Sequence, residues 1–329
     1  IIMDTMRMIE SSEERVVFEI QNNTGTARLT SYPVYPGIDL VYIDAHIESF
    51  SCRSHPVTQG LFAVNHCEEG RIECNFQNGE FLYMGPGDMS IGWRHHQEYC
   101  HSIFFPSSHY HGLSILCSVS KAQPVVSRLL EDDGDLTALC SRFCRESDFG
   151  LIMKENNDMQ HLFEELYRVP EGIRRRYCQL KILEIFLFLG TIEPERNQYV
   201  YVTKRQVDIV KAIHLELLEN LTTKKRVEEL AAEHHIAPTT LKRCFKSVYG
   251  SSIGQHLQEL RVSEAMRMLA ETEDSILQIA NRVGYANSSK FSVLFQKMTG
   301  MLPREYRKSL RNKGQAVLCV SADRLRRAL

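Results

Sequence analysis

The feature that most limits how this chain can fold is an internal repeat in its last third. In residues 227–250, Leu230, Ala231 and Ile236 are followed by Leu241, Cys244, Phe245 and Val248, and the segment closes on Gly250. In residues 276–300 the pattern returns: Ile279, Ala280 and Tyr285 match Leu230, Ala231 and Ile236 at a spacing of 49, while Phe291, Phe295 and Gly300 match Leu241, Phe245 and Gly250 at 50. Apolar residues at i, i+3, i+4 and i+7 specify one buried helical face. A small residue at Ala231 or Ala280 lets a preceding short helix cross that face closely, and Ile236 plugs the turn between them. Each copy therefore reads as a short helix, a turn and a second helix, with one residue more in the second turn, where Gly284 supplies the permissive backbone that a helix exit needs.

The outward faces of the two second helices are polar in the same way. The first carries Thr239, Thr240, Lys242, Arg243 and Lys246; the other carries Ser288, Ser289, Lys290, Ser292, Val293 and Gln296. Hydroxyls and cations without a carboxylate on the same helix face suit a groove lined with phosphates. Thr239, Thr240, Arg243, Ser288, Ser289 and Gln296 are the candidates for base edges, and Lys242, Lys246, Lys290, Lys297 and Arg304 those for phosphates. One such unit is weak grounds, because helical pairs with a small residue at their crossing are common; two in register are strong. Between them Ile253, Leu257, Leu260, Ala265, Met268 and Leu269 mark one connecting helix. If it holds both reading helices on one face, they can enter successive major grooves about 34 Å apart.

Charge follows the same division. The net charge of −2 looks uninformative, yet residues 200–312 carry 18 Lys and Arg against 12 Asp and Glu, a balance of +6, whereas residues 1–199 stand at −11. A basic back behind an acidic front points to a polyanion met by the back alone. The tail, residues 313–329, adds +3 through groups such as Arg324, Arg326 and Arg327, which read as a frayed end.

The paired units, the connecting helix and the ending Gly300-Met-Leu-Pro-Arg-Glu-Tyr-Arg307 resemble the AraC/XylS family of bacterial transcription regulators over about residues 203–310. The ending is similar to the family's Gly-x-x-Pro-x-x-[Phe/Tyr]-Arg. Two departures stand out: Lys290-Phe291 replaces an aromatic pair, and Pro238 opens the first reading helix. The resemblance implies double-stranded DNA as partner, a small-molecule effector, a homodimer through helices within 160–190 and contact with RNA polymerase; no Ser/His/Asp or Cys/His arrangement at a known spacing and no phosphate-cradling glycine loop stands in the sequence, so no enzymatic activity and no cofactor are expected. The resemblance also implies a cupin-like barrel in front.

The front half read by itself agrees with an α+β chain. Residues 1–34 are polar with little pattern and are expected to form a loose lead. Over 35–122, short apolar runs such as Leu40–Ile43, Phe81–Met84 and Ser114–Val119 alternate with turns such as Gly85-Pro86-Gly87-Asp88, as in a small antiparallel barrel or sandwich. Residues 123–197 change to a helical period beyond Pro124. There Tyr177, Leu180, Leu183, Ile185, Leu187 and Phe188 make one helix apolar around much of its circumference, fit for a core or a dimer seam. Arg174-Arg175-Arg176 reads as its salt-bridged start. Residues 198–312 hold the paired units, with Thr203 as the cap of their first helix.

Competing chemistry is confined to histidines. Trp93, Arg94, His95 and His96 are candidates for an effector pocket, an aromatic wall with cationic anchors, although Trp93 fits a core equally well. His109 and His111, two apart on a strand, share a face and suit a metal. Gly-Leu-Ser-Ile-Leu-Cys follows them without a carboxylate, which argues for hydrogen-bonding histidines and no metal. The alternative is a metal-dependent cupin enzyme or metal sensor fused to a DNA-binding domain; a constitutive DNA binder is the third reading. Ten cysteines without a CxxC pair read as reduced thiols. The start Ile1-Ile2-Met3-Asp4-Thr5 shows no export signal, and the apolar run Ile182–Gly190 has about half the ~20 residues that a bilayer needs. The expected compartment is cytoplasmic.

Overall fold

Alternating apolar side chains build the front of the chain as a sheet. The computed structural model describes residues 5–53, 61–75, 80–94, 100–144, 151–154, 157–193 and 201–313. Apart from the short segment 79–81, the chain divides into one unit before Tyr201 and a second from Tyr201 onward. The first unit contains β1 (Thr5–Ser11), β2 (Val16–Asn22), β3 (Gly25–Tyr35), β4 (Ile38–His46), β5 (Ser49–Arg53), β6 (Leu61–Gly70), β7 (Ile72–Asn75), β8 (Glu80–Met84), β9 (Met89–Arg94), β10 (Cys100–Phe104), β11 (Tyr110–Ser118) and β12 (Leu151–Met153). Its helices are α1 (Val119–Leu130), α2 (Leu136–Phe143), α3 (Asn157–Tyr167) and α4 (Arg174–Thr191).

Eight strands form one antiparallel sheet in the order β1-β2-β3-β4-β11-β6-β9-β12. Its end strands β1 and β12 do not pair among the described residues, so the expected barrel is an open sheet. Period-two alternation gives the sheet two apolar faces. Leu40, Leu113 and Ile115 pack with Phe163, Ile182 and Leu189 of the helices, while Ala45, Cys67 and Tyr110 belong to a second cluster with Phe50 and Phe105.

Three expectations need correction. Residues 5–35 are strands of the sheet, not a loose lead. Val17, Ile20 and Ala27 are buried, and the polar look comes from exposed partners such as Glu19 and Arg28, which face each other across β2 and β3 at 4.0 Å. Helical structure begins at Val119, ahead of Pro124, which sits in the second turn of α1 and forgoes one backbone bond there. Finally, α4 is not buried around its circumference. Cys178, Ile182, Ile185, Phe186 and Leu189 face inward, whereas Leu180 is 71% exposed and Leu187 and Phe188 are also exposed.

The start of α4 is tied down as its charges suggest. Arg174 donates to Tyr32 Oη at 3.0 Å and to the Val169 carbonyl at 3.0 Å, and pairs with Glu171 at 3.2 Å. Lys181, buried, is neutralised by Glu165 at 2.6 Å and Glu184 at 2.7 Å.

The second unit is helical: α5 (Lys204–Glu219), α6 (Val227–Glu233), α7 (Pro238–Tyr249), α8 (Ile253–Glu271), α9 (Ile276–Arg282), α10 (Ser288–Thr299) and α11 (Pro303–Lys313). Thr203 caps α5, its Oγ1 accepting from the Gln206 N–H while the Gln206 side chain accepts from the Thr203 N–H. Val262, Ala265 and Leu269 of α8 pack with Ile279 and Ala280 of α9, Phe291 and Phe295 of α10, and Tyr306 of α11. No described helix is long and apolar enough to cross a membrane.

Candidate nucleic-acid interface

The sequence repeat is a structural one. Helices α6 and α9 have seven residues each, and α7 and α10 have twelve each. Four residues, 234–237, join the first pair and five, 283–287, join the second, which is the extra residue that the spacings of 49 and 50 require. In both turns an N–H closes back on the small residue at the crossing: Ile236 donates to the Ala231 carbonyl at 3.0 Å, and Tyr285 to that of Ala280 at 2.8 Å. Each turn needs one left-handed residue, His235 at φ 52° in the first and Gly284 at φ 89° in the second. Each reading helix ends alike, on Gly250 and Gly300 in the αL conformation.

The two helix starts differ. Asn287 caps α10, its Oδ1 accepting from the N–H groups of Ser289 at 2.8 Å and Lys290 at 3.1 Å. Pro238 occupies the first turn of α7, where its missing N–H would have had no partner in the helix.

Burial separates the faces. Leu241, Cys244, Phe245 and Val248 of α7 and Phe291 and Phe295 of α10 are buried. Thr239, Lys242, Arg243 and Lys246 of α7 are exposed and Thr240 is half-buried. On α10, Ser289, Lys290, Gln296 and Lys297 are exposed, Ser288 and Ser292 are half-buried, and Arg304 is exposed on α11. The Ser292 hydroxyl donates to its own helix at Ser288 O, 2.8 Å away, and so turns inward. Lys242 is not in a purely cationic field: Glu228 of α6 lies 3.3 Å from its ammonium. That carboxyl is held below the usual range by its own backbone N–H first and by Lys242 second. Both partners are exposed, and a pair of this kind gives up its cation to a phosphate at small cost.

Two contributors were not singled out in the sequence. Arg261 of α8 donates from Nε to the Leu221 carbonyl at 2.7 Å and from Nη2 to that of Thr223 at 3.0 Å, while its guanidinium lies 5.3 Å from the Tyr285 ring centroid. It thereby clamps the loop leading into the first reading unit against the turn of the second. The other is a polar–aromatic cluster behind α7. His214 Nδ1 lies 2.9 Å from His256 Nε2, Glu259 lies 3.5 Å beyond His256 Nδ1, and the Tyr249 ring stacks on His214 at 4.7 Å. Burial, and then the neighbouring His256, push the His214 pKa down to about 4. Periodicity carries no signal for either. The left-handed residue at His235 was legible, since it stands 49 residues before Gly284.

The four candidates for an effector pocket fall largely outside the described residues. Trp93 and Arg94 end β9, opposite Phe62 and Leu61 of β6, but their side chains, and His95 and His96 entirely, lie outside the described residues. His109 and His111 do share a neighbourhood, and the carboxylates missing downstream of them come from other strands: Glu69 of β6 and Asp44 of β4.

Two short helices each crossing a twelve-residue helix whose outer face is polar and basic define a double helix-turn-helix protein of the DNA-binding class. A family model described as a helix-turn-helix domain matches residues 230–309. The transcriptional activator RhaR of Mannheimia succiniciproducens is 28% identical over 154 residues, 47% of this chain and 49% of that protein. The uncharacterized helix-turn-helix regulator YobQ of Bacillus subtilis is 39% identical over 98 residues, 30% of this chain and 39% of that one. Among solved structures, the C-terminal domain of AraT, a response regulator from Geobacillus stearothermophilus, is 30% identical and covers 31% of this chain and 84% of its own, with a TM-score of 0.30. The chain spans about half, or less, of the length of the curated relatives it matches. The second unit thus carries an AraC-type helix-turn-helix domain, the part of the chain that the family model covers.

Proposed function

We propose that the protein is a sequence-specific transcription regulator whose α7 and α10 read successive major grooves of double-stranded DNA, and whose first unit senses a small-molecule effector. The observation that carries this reading is the duplication itself, with two equal-length helices that each expose hydroxyls and cations over a buried apolar face. Thr239, Thr240, Arg243, Ser288, Ser289 and Gln296 are assigned to base edges. Lys242, Lys246, Lys290, Lys297 and Arg304 are assigned to phosphates. Val293 is 68% exposed on α10 and suits the methyl group of a thymine. A homodimer through α4 is part of the same proposal. Ile173, Tyr177, Leu180, Glu184, Leu187 and Thr191 alternate by four and three residues, the spacing of a two-helix seam, and Ile173, Leu180 and Leu187 are exposed. RNA polymerase follows as the partner that a regulator addresses, and no catalytic step is assigned.

The test compares two substitutions on a duplex selected from random DNA. Arg243→Ala costs about 1–3 kcal/mol on the selected duplex and relaxes specificity at one base pair, whereas Lys246→Ala weakens all sequences alike and lowers the salt slope by about one. Equal losses for Arg243→Ala on selected and random DNA contradict its assignment.

A further inference from the structure

Five side chains of the first unit close into a ring on the sheet. Asp44 and His46 stand on β4, Glu69 on β6, His111 on β11 and His109 just before it. Strand register sets Asp44, His111 and Glu69 side by side across three neighbouring strands, with a bulge at His111/Gly112 against β6. Around the ring, Glu69 Oε2 lies 3.3 Å from His109 Nε2, His109 Nδ1 3.4 Å from His46 Nδ1, and His46 Nε2 3.0 Å from Asp44 Oδ1. Asp44 Oδ1 then lies 2.7 Å from His111 Nε2, and His111 Nδ1 3.8 Å from Glu69 Oε2. The His109 side chain is 2% exposed and that of Asp44 56%, so the ring is walled on one side and open to solvent on the other.

The protons decide what the ring can hold. An ionised carboxylate only accepts, so Nε2 of His111 on Asp44 and, in the facing pair, Nε2 of His46 on Asp44 and Nε2 of His109 on Glu69 carry the protons. The Nδ1 atoms of both rings then present lone pairs to each other across 3.4 Å. Two lone pairs at that distance repel unless a positive centre lies between them. A tetrahedral ion with metal–nitrogen bonds of about 2.0–2.1 Å has ligand atoms about 3.3–3.4 Å apart, which is the separation of this one pair. One nitrogen from each of the three histidines can be chosen so that all lie within 4.8 Å of one another. A carboxylate behind a ligating histidine fixes its tautomer and raises its basicity, as Asp44 and Glu69 are placed to do.

We propose that His46, His109 and His111 bind one divalent first-row transition-metal ion, zinc fitting best, with Asp44 and Glu69 orienting the imidazoles. Nitrogen donors favour such ions over magnesium or calcium, and a three-histidine set leaves a fourth position for water or an exogenous ligand. The site stands independently of the DNA-binding reading, because all five side chains belong to the first unit. A proton shared between His46 and His109 is the competing occupant, and the experiment separates the two.

Purified full-length chain, stripped with EDTA, is titrated with Zn²⁺ by calorimetry and with Co²⁺ by visible absorption. The expected result is one equivalent of Zn²⁺ and cobalt bands of a tetrahedral nitrogen–oxygen site without thiolate charge transfer. His46→Gln and His111→Gln weaken binding at least about 100-fold and Asp44→Asn about 10–100-fold, with unchanged far-UV circular dichroism, while His235→Gln in the other unit binds like the parent. Less than one equivalent on the parent chain, thiolate bands with cobalt, or undiminished binding in Asp44→Asn and His46→Gln overturns the proposal.

Discussion

At the scale of single residues, two positions in the second unit carry consequences beyond their own contacts. Gly284 sits at φ 89°, and a Cβ there would stand 3.0 Å from the Leu221 carbonyl oxygen and 3.0 Å from Arg261 Nη2. Both the left-handed backbone and the Arg261 clamp oppose a side chain. Gly284→Ala is therefore expected to cost about 1–2 kcal/mol in chemical denaturation of the helical unit. His214 gives a pH dependence. Its folded pKa, about 4, lies below the 6.5 of an exposed histidine. Above pH 6.5 both states are neutral there. As pH falls, the unfolded chain takes up the proton first, so stability declines between about pH 6.5 and 4 and levels off below. The drop from 6.5 to about 4 corresponds to about 3 kcal/mol at most. His214→Gln should flatten the decline, and a His214 ring that titrates near 6.5 by NMR would contradict the burial argument. The histidine ring around Asp44 was invisible in the sequence for a simple reason. Its carboxylates arrive by strand register from β4 and β6, not from the residues after His111.

Among the elements, the reading helices were legible and α4 was only half so. A helix that packs one face needs apolar residues at i, i+3, i+4 and i+7, and α7 and α10 have little else that is apolar. Helix α4 has two apolar stripes, and composition does not say which one its own chain covers. The structure buries Cys178, Ile182, Ile185 and Leu189 and leaves Ile173, Leu180 and Leu187 exposed. Removing apolar surface from the exposed stripe should separate subunits without unfolding them. Leu180→Glu with Leu187→Glu is expected to sediment as a monomer at concentrations where the parent is a dimer, with unchanged far-UV circular dichroism. A parent chain that is already monomeric, or a double variant that stays dimeric, removes α4 from the interface. The strands tell the same lesson. Leu40–Ile43 and Ser114–Val119 are runs of apolar residues and announce themselves, whereas β1 is exposed along its described side chains and β2 and β3 set residues such as Glu19 and Arg28 beside buried ones, an alternation easily taken for a lack of pattern. Whether sheet ends meet depends on non-local pairing, so the apolar runs by themselves suit a barrel as well as an open sheet.

On the scale of the whole molecule, the charge asymmetry and the duplication say the same thing. The +6 of residues 200–312 belongs to the helical unit, and the −11 of residues 1–199 to the sheet-rich unit. A polyanion is therefore attracted to the unit that presents Arg243, Lys246, Lys290 and Lys297 on exposed faces. Affinity from that attraction alone would be indifferent to sequence, and a single reading helix would recognise one short patch. On the proposed function, two readers of equal length, joined by α8 and clamped by Arg261, require two patches on one face of the duplex. The direct measurement is hydroxyl-radical footprinting of the chain on a duplex selected from a random pool. Two protected segments about 10 base pairs apart on the same face, with Arg243→Ala weakening one and Gln296→Ala the other, are predicted. A single protected segment, or no sequence enriched over random DNA, would contradict the claim that α7 and α10 both read base pairs.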